Sequence, residues 1–258
     1  CLMSMNVIRF QMRKYAAIVL MLFGMMNVCV VLCASAITKN NMQELKVKKI
    51  NAAGLQVDAL PALLDKENVA FVPITNVNWE GKYPYRPEVS FRLAYADDAF
   101  LLHFKVKEGS VRARYGNDNG SVWIDSCVEF FVIPGGDGIY YNIECNCIGT
   151  VLVGAGSGRS EREHATQDVM NGIQRWSTLG RLPFEERIGE TAWEVALIIP
   201  YTVFFKHEIS SLDGKTLKGN FYKCGDELQT PHFLSWNPIE TENPNFHIPE
   251  YFGTLVLE

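Results

Sequence analysis

Trp123-Ile124-Asp125-Ser126-Cys127-Val128-Glu129-Phe130-Phe131-Val132 is the run that decides how this chain is read. Taken as a strand it has two unlike faces, because successive side chains point to opposite sides. Ile124, Ser126, Val128, Phe130 and Val132 share a face apolar enough to lie on a core. Trp123, Asp125, Cys127, Glu129 and Phe131 share the other, which mixes aromatic rings, carboxylates and a thiol. Such a face is either the outer side of an ordinary sandwich strand or a binding surface.

The segment that follows repeats the pattern. Pro134-Gly135-Gly136-Asp137-Gly138 closes the first strand with turn chemistry. Over residues 139–148, Tyr141, Ile143, Cys145 and Cys147 take one face, and Tyr140, Asn142, Glu144 and Asn146 the other. Two neighbouring strands with mixed faces favour a binding surface. Upstream, residues 88–95 and 100–106 alternate on either side of Asp97-Asp98 and predict a hairpin, with a short first strand over 69–74. Downstream, 191–199, 218–224, 232–236 and 251–257 predict further strands. Residues 78–87, 109–121 and 237–249 read as loops, because proline fixes φ and removes a donor and Gly/Asn/Asp clusters make turns. Gly154-Ala155-Gly156-Ser157-Gly158 lacks a following Gly-Lys-Ser/Thr or helix, so it reads as a mobile loop and not a phosphate cradle. Many short strands without a long amphipathic helix predict an all-β fold, an antiparallel β-sandwich.

The chain has 258 residues, 48% of them hydrophobic, and a net charge of -5. That suffices for one β-rich domain with a full core. The mild acidity argues against nucleic acid as a partner. Met12-Arg13-Lys14, an apolar run over 16–32 and Ala34-Ser35-Ala36 read as a secretory signal peptide over 12–36, preceded by an upstream extension. The expectation is export to the periplasm or cell exterior, with no membrane span once the leader is removed. Cys33 raises lipidation, although Leu32 is bulky where such a signal needs a small residue. A retained anchor is the other reading, interrupted by Gly24 and Asn27. Residues 37–68 read as a polar lead-in and 69–258 as the domain. Cys127, Cys145, Cys147 and Cys224 remain after the leader and read as buried free thiols.

Catalytic motifs are scarce. There is no Gly-x-Ser-x-Gly elbow, and His103, His164, His207, His232 and His247 have no metal-site spacing. Glu129 and Glu144 can face each other across neighbouring strands. Two such carboxyls serve either as a glycosidase pair or as acceptors for sugar hydroxyls. Trp123 and Trp236 stand near such groups, and a flat indole covers the apolar face of a sugar ring. Either tryptophan can equally be a core residue.

The run 123–131, then Trp193-Glu194-Val195-Ala196 before Ile199-Pro200, then Ser235-Trp236-Asn237-Pro238, then Phe246-His247-Ile248-Pro249-Glu250-Tyr251-Phe252-Gly253 together resemble carbohydrate-binding module family 9. The likeness is greatest to its exported, stand-alone branch and runs from about residue 70 to the C-terminus. It implies a jelly-roll or DOMON-like sandwich and a non-catalytic, carbohydrate-binding role, with a terminal sugar gripped between two tryptophans. Trp123 and Trp236 match that clamp, and Glu129 matches a hydroxyl-binding carboxylate. Glu144 falls where the resemblance leads one to expect an arginine. Arg159 or Arg162 can substitute from the loop, which would suit an acidic sugar. Asn146, on the face of Glu144, completes the candidate set. The resemblance also admits structural calcium, at Asp137 or at Asp118 with Asn117 and Asn119, and requires no other cofactor. The expected partner is an oligo- or polysaccharide terminus, bound beside glycoside hydrolases in polysaccharide breakdown. Two rival readings stand beside it. One is a glycoside hydrolase using Glu129 and a partner carboxylate. The other is a haem-binding module ligated by Met42 or Met170 with a histidine.

Overall fold

The computed structural model describes residues 42–258. The upstream extension, the signal-peptide reading and Cys33 lie outside the described residues. Among these residues the strands are β1 (Glu44–Lys49), β2 (Val72–Pro73), β3 (Asn76–Val77), β4 (Glu88–Tyr95), β5 (Ala99–Ala113), β6 (Cys127–Ile133) and β7 (Tyr140–Asn146). They continue as β8 (Val151–Gly156), β9 (Glu163–His164), β10 (Gln174–Ser177), β11 (Phe184–Pro200), β12 (Thr216–Cys224), β13 (Phe233–Ser235) and β14 (Gly253–Leu257). Two short helices accompany them, α1 (Leu60–Lys66) and α2 (Gln167–Asn171).

One half of the sandwich runs β10-β11-β5-β4, and the other runs β14-β12-β6-β7-β8-β9. The alternation read from the sequence places their faces. Val128, Phe130 and Val132 of β6 point into the core between the halves, while Cys127 and Phe131 belong to a second apolar cluster on the outer side. Across the interior, Phe91 of β4 stacks on Phe221 of β12 at 3.6 Å, and Phe221 stacks on Phe130 at 4.8 Å. Phe100 closes edge-on against Phe130. Burying such a ring stabilises the fold by roughly 2–3 kcal/mol, and these rings clamp the two halves together.

Four sequence expectations change. First, of the lead-in expected over 37–68, residues 44–49 and 57–66 form elements of the fold. β1 pairs in parallel with β14 through Glu44–Val47 and with β4 through Lys48 and Lys49, so it joins both halves. The sandwich is therefore antiparallel except at this strand. Leu60 and Leu64 of α1 are buried in a third cluster with Ala94, Leu101 and Ala196. Second, Trp123 and Ile124 precede the strand in a 3-10 turn spanning Val122–Ile124, and Asp125 is buried. Third, the expected loop over 109–121 begins as strand, because β5 continues to Ala113 against the start of β11. Of the short strand expected over 69–74 only Val72 and Pro73 pair. Fourth, the glycine-rich run over 154–158 opens as the end of β8. A Cβ at Gly154 would stand 2.7 Å from Asn142 Oδ1. Glycine there makes room for a side-chain network. No helix among the described residues is long and apolar enough to cross a membrane.

Candidate functional site

On the outer face of β6, β7, β8 and β12 lies a cleft of about 580 Å³. Its floor is set by strand register. Glu129 of β6 is the direct partner of Tyr222 on β12 and of Glu144 on β7, and Glu144 is the partner of Leu152 on β8. One row across four strands thus reads Tyr222, Glu129, Glu144, Leu152. Trp123 stands at the mouth with 36% of its surface open. Tyr83, Phe233, Phe246 and His247 supply further walls, and Arg159 and His164 complete the rim.

Each wall has a physical support. The Trp123 turn is pinned from beneath by buried Arg112. Its guanidinium bonds Asp125 Oδ1 (3.2 Å), the Glu227 carbonyl (2.7 Å) and the Ile124 carbonyl. Asp125 Oδ2 in turn accepts from the Tyr115 amide and from Asn146 Nδ2 (3.1 Å). The Trp123 carbonyl receives the Asp226 amide. On the far side, Phe246 lies flat on Tyr222, with ring centres 4.2 Å apart and planes within 7°. The loop that carries Phe246 is anchored by Asn237, which exchanges hydrogen bonds with Asn220 and accepts from the Gln43 amide.

Arg162 braces the third side. Its guanidinium bonds Asn142 Oδ1 (2.8 Å) and the carbonyls of Tyr140 (2.9 Å), Gly154 (3.2 Å) and Gly158 (2.7 Å), and it lies 4.0 Å over the Tyr140 ring. Asn142 Nδ2 then donates to Glu144 Oε1 (2.8 Å). The donors of Arg162 are thus committed to the protein. Of the two arginines expected to suit an acidic sugar, only Arg159 remains placed to reach a ligand.

The electrostatics of the floor follow from burial. Desolvation raises Glu129 well above the usual carboxylate range, and the Glu144 charge adds to the effect. Desolvation likewise raises Glu144 to about 7, against the Asn142 hydrogen bond that favours its charged form. Asp226 is raised to about 6 for the same primary reason. His247 is pushed down to about 3 by burial and by Arg162 and Arg159, so its ring is neutral, next to the Tyr140 hydroxyl at 2.9 Å.

Cys127, Glu129 and Cys224 bring one potential ligand atom each within 4.8 Å of one another. Burial pushes the Cys127 thiol up to about 12 and raises Cys224 well above its ordinary value, and Cys224 Sγ lies 3.0 Å from Glu129 Oε1 as an S–H donor. Protonated thiols are poor metal ligands. The calcium expectations fare no better. Asp118 Oδ1 is taken by Arg175 Nη1 (2.5 Å) and the Val151 amide. Asn119 is engaged with Ala165 and Val153, and Asp137 with Ile139 and His207. These oxygens do not fit a calcium site.

Of the six residues expected to bind sugar, Trp123, Glu129, Glu144 and Arg159 line the cleft. Asn146 and Trp236 do not. Asn146 is fully buried, and its amide bonds the Tyr115 carbonyl, Asp125 and the turn at Ile148 and Thr150. Trp236 keeps only 1% of its surface and packs edge-on against Phe91 and Phe221 in the core. The expected two-tryptophan clamp is therefore not formed by this pair. The Ser235-Trp236-Asn237 motif instead fixes the Phe246 loop, because Gly253 admits the Trp236 ring and Asn237 amide where a Cβ would clash at 2.7 and 2.1 Å. Of the two methionines open to the haem reading, Met170 is a core residue and Met42 is part-buried just ahead of β1. Sequence reasoning missed Phe233, Phe246 and Asp226. The aromatic inside Asn243-Pro244-Asn245-Phe246-His247 was the available signal.

This fold and cleft place the chain among the β-sandwich binding modules. The chain belongs to carbohydrate-binding family 9, whose model matches residues 58–257. It is similar to a Bacteroides uniformis protein of solved structure, proposed to bind carbohydrate, at 55% identity and a TM-score of 0.82, over 84% of this chain and 100% of that one. It also shares the fold of a family 9 carbohydrate-binding module from Caldicellulosiruptor kristjanssonii, solved with glucose and with cellotriose. Identity to both is 14%, over 84% of this chain and 96% and 94% of those, with TM-scores of 0.53 and 0.52. The comparison with curated proteins returns no match.

Proposed function

We propose that this protein binds the end of a carbohydrate chain in the cleft, without cleaving it. The carrying observation is an open indole, Trp123, at the mouth of a cleft floored by two carboxyl groups. A sugar ring presents apolar C–H faces to an indole and hydroxyl edges to carboxyl oxygens. The second aromatic surface is Phe246, held flat by Tyr222, in place of the tryptophan expected from the sequence. Glu129 and Glu144 stand side by side on one sheet face. A glycosidase needs its carboxyls flanking the scissile bond, so this arrangement favours holding hydroxyls over hydrolysis. The leader pattern over 12–36 supports action outside the cytoplasm.

Isothermal titration with glucose, cellotriose and a panel of neutral mono- and oligosaccharides tests the reading. The protein binds at least one of them, and Trp123→Ala weakens that affinity roughly tenfold or more, about 1.4 kcal/mol. An unchanged affinity in Trp123→Ala removes the cleft from the account. No heat from any sugar removes the function.

A further inference from the structure

The departure of this chain from its expected pattern lies at Glu144. Strand register sets it directly beside Glu129, on the same face, with both carboxyls buried. Directly paired side chains on adjacent antiparallel strands have Cβ atoms about 4.5–5.5 Å apart. Two like charges at that range in a desolvated floor repel strongly, and such pairs hold a proton between them.

The surroundings relieve the repulsion only in part, through the charges of Arg162 near Glu144 and Lys223 near Glu129. Glu144 Oε1 receives Asn142 Nδ2, and Glu144 Oε2 is buried with no hydrogen-bond partner among the described residues. Glu129 Oε1 has only a thiol donor, Cys224. The other groups facing the pair come from every neighbouring element. β12 and the loop after it bring Tyr222, Cys224 and a third carboxyl, Asp226, which adds negative charge. The segment after β8 brings Arg162, whose donors point at Asn142 and at carbonyls, and the exposed Arg159. β9 brings His164, and the Phe246 loop brings His247, which is neutral. Among the described residues no cation donates to either glutamate.

We infer that Glu129 and Glu144 contact the ligand as a pair that is singly ionised in the free protein and fully protonated beneath a bound sugar, so that Glu144 is a specificity residue and sugar binding takes up a proton above neutral pH. The inference rests on the sugar-binding reading of this cleft. A bound sugar covers the floor and removes the water that would otherwise solvate the one remaining negative charge. The bound state therefore prefers the uncharged pair more strongly than the free state does. By linkage, a ligand that raises proton affinity loses affinity itself as pH rises. Protonated, the pair also presents two O–H donors beside its acceptor oxygens to sugar hydroxyls, a pattern that two carboxylates cannot offer.

The test is titration of the tightest-binding neutral sugar from pH 6 to 8.5, in buffers of different ionisation enthalpy. Affinity falls with rising pH above 7, approaching tenfold per unit for one proton, and the buffer dependence of the heat shows uptake. Glu144→Gln keeps an amide oxygen for Asn142 and carries no charge. It binds with an affinity flat in pH and with no uptake. Asp226→Asn removes a neighbouring negative charge, so it shifts the onset of the fall to lower pH and keeps the uptake. A flat wild-type profile without uptake overturns the inference even where the sugar binds well, and so does a profile that disappears in Asp226→Asn but survives in Glu144→Gln. Should Glu144→Gln not fold, wild-type proton uptake and the Asp226→Asn profile still decide. Absence of binding at every pH sinks the underlying function instead.

Discussion

Trp123 keeps a third of its surface open at the cleft mouth, whereas Trp236 is sealed between Phe91 and Phe221. Both indoles stand in polar company in the sequence, so composition around them did not separate a stacking plate from a core ring. Their substitutions separate them. Trp236→Ala opens a core cavity and costs about 3–5 kcal/mol of stability, read as a large drop in Tm. Trp123→Ala leaves Tm nearly unchanged and acts on binding alone. Glu144 belongs to the same scale. Its pKa in the folded protein is raised to about 7 from an ordinary 4.5. The folded state therefore holds more protons than the unfolded state between these values, and stability falls as pH rises through that window. The full effect is at most about 3 kcal/mol. Thermal denaturation from pH 4.5 to 8 shows this decline in the wild type and a flatter profile in Glu144→Gln. A steeper decline in the variant contradicts the assignment.

At the scale of elements, the floor, Trp123 and Arg159 were legible and the remaining walls were not. The period-two alternation of residues 127–133 and 139–146 gave the correct outward faces, and a β-turn between them gave the neighbouring register. That is why Glu129 and Glu144 were paired from sequence. The walls come from segments without periodicity, and their positions depend on long-range polar anchors. Asn237 is tied to Asn220 and Gln43, 17 and 194 residues away, and no local pattern announces such ties. Gly253→Ala tests this anchor. Its Cβ would meet the Asn237 amide at 2.1 Å and the Gln43 carbonyl at 2.7 Å, so the loop must shift. Overpacking of this kind costs about 1–3 kcal/mol. Tm falls, and sugar affinity falls with it because Phe246 rides on the same loop. Lower Tm with unchanged affinity shows that the Phe246 wall takes no part in binding.

Across the whole molecule, the all-β sandwich followed from many short alternating segments. The contribution of β1 was hidden. Glu-Leu-Lys-Val-Lys-Lys at 44–49 reads as a solvated charged stretch, yet Val47 is buried and the strand pairs with both halves of the sandwich. Parallel pairing between segments some 200 residues apart leaves no local signature. A fragment beginning at residue 69 loses β1 and α1 and does not unfold as one cooperative transition. A fragment beginning at residue 42 does. Equal behaviour of the two contradicts the role given to β1.

A second groove of about 690 Å³ lies along β4, β5 and β11, near Lys105, Lys107 and Glu194, so the location of the ligand is a real choice between two faces. A crystal structure with the tightest-binding sugar decides it. The account predicts the ring against the Trp123 indole, with hydroxyls within about 3 Å of the Glu129 and Glu144 carboxyl oxygens. A sugar seated in the second groove, or in the first cleft without touching Trp123, contradicts it.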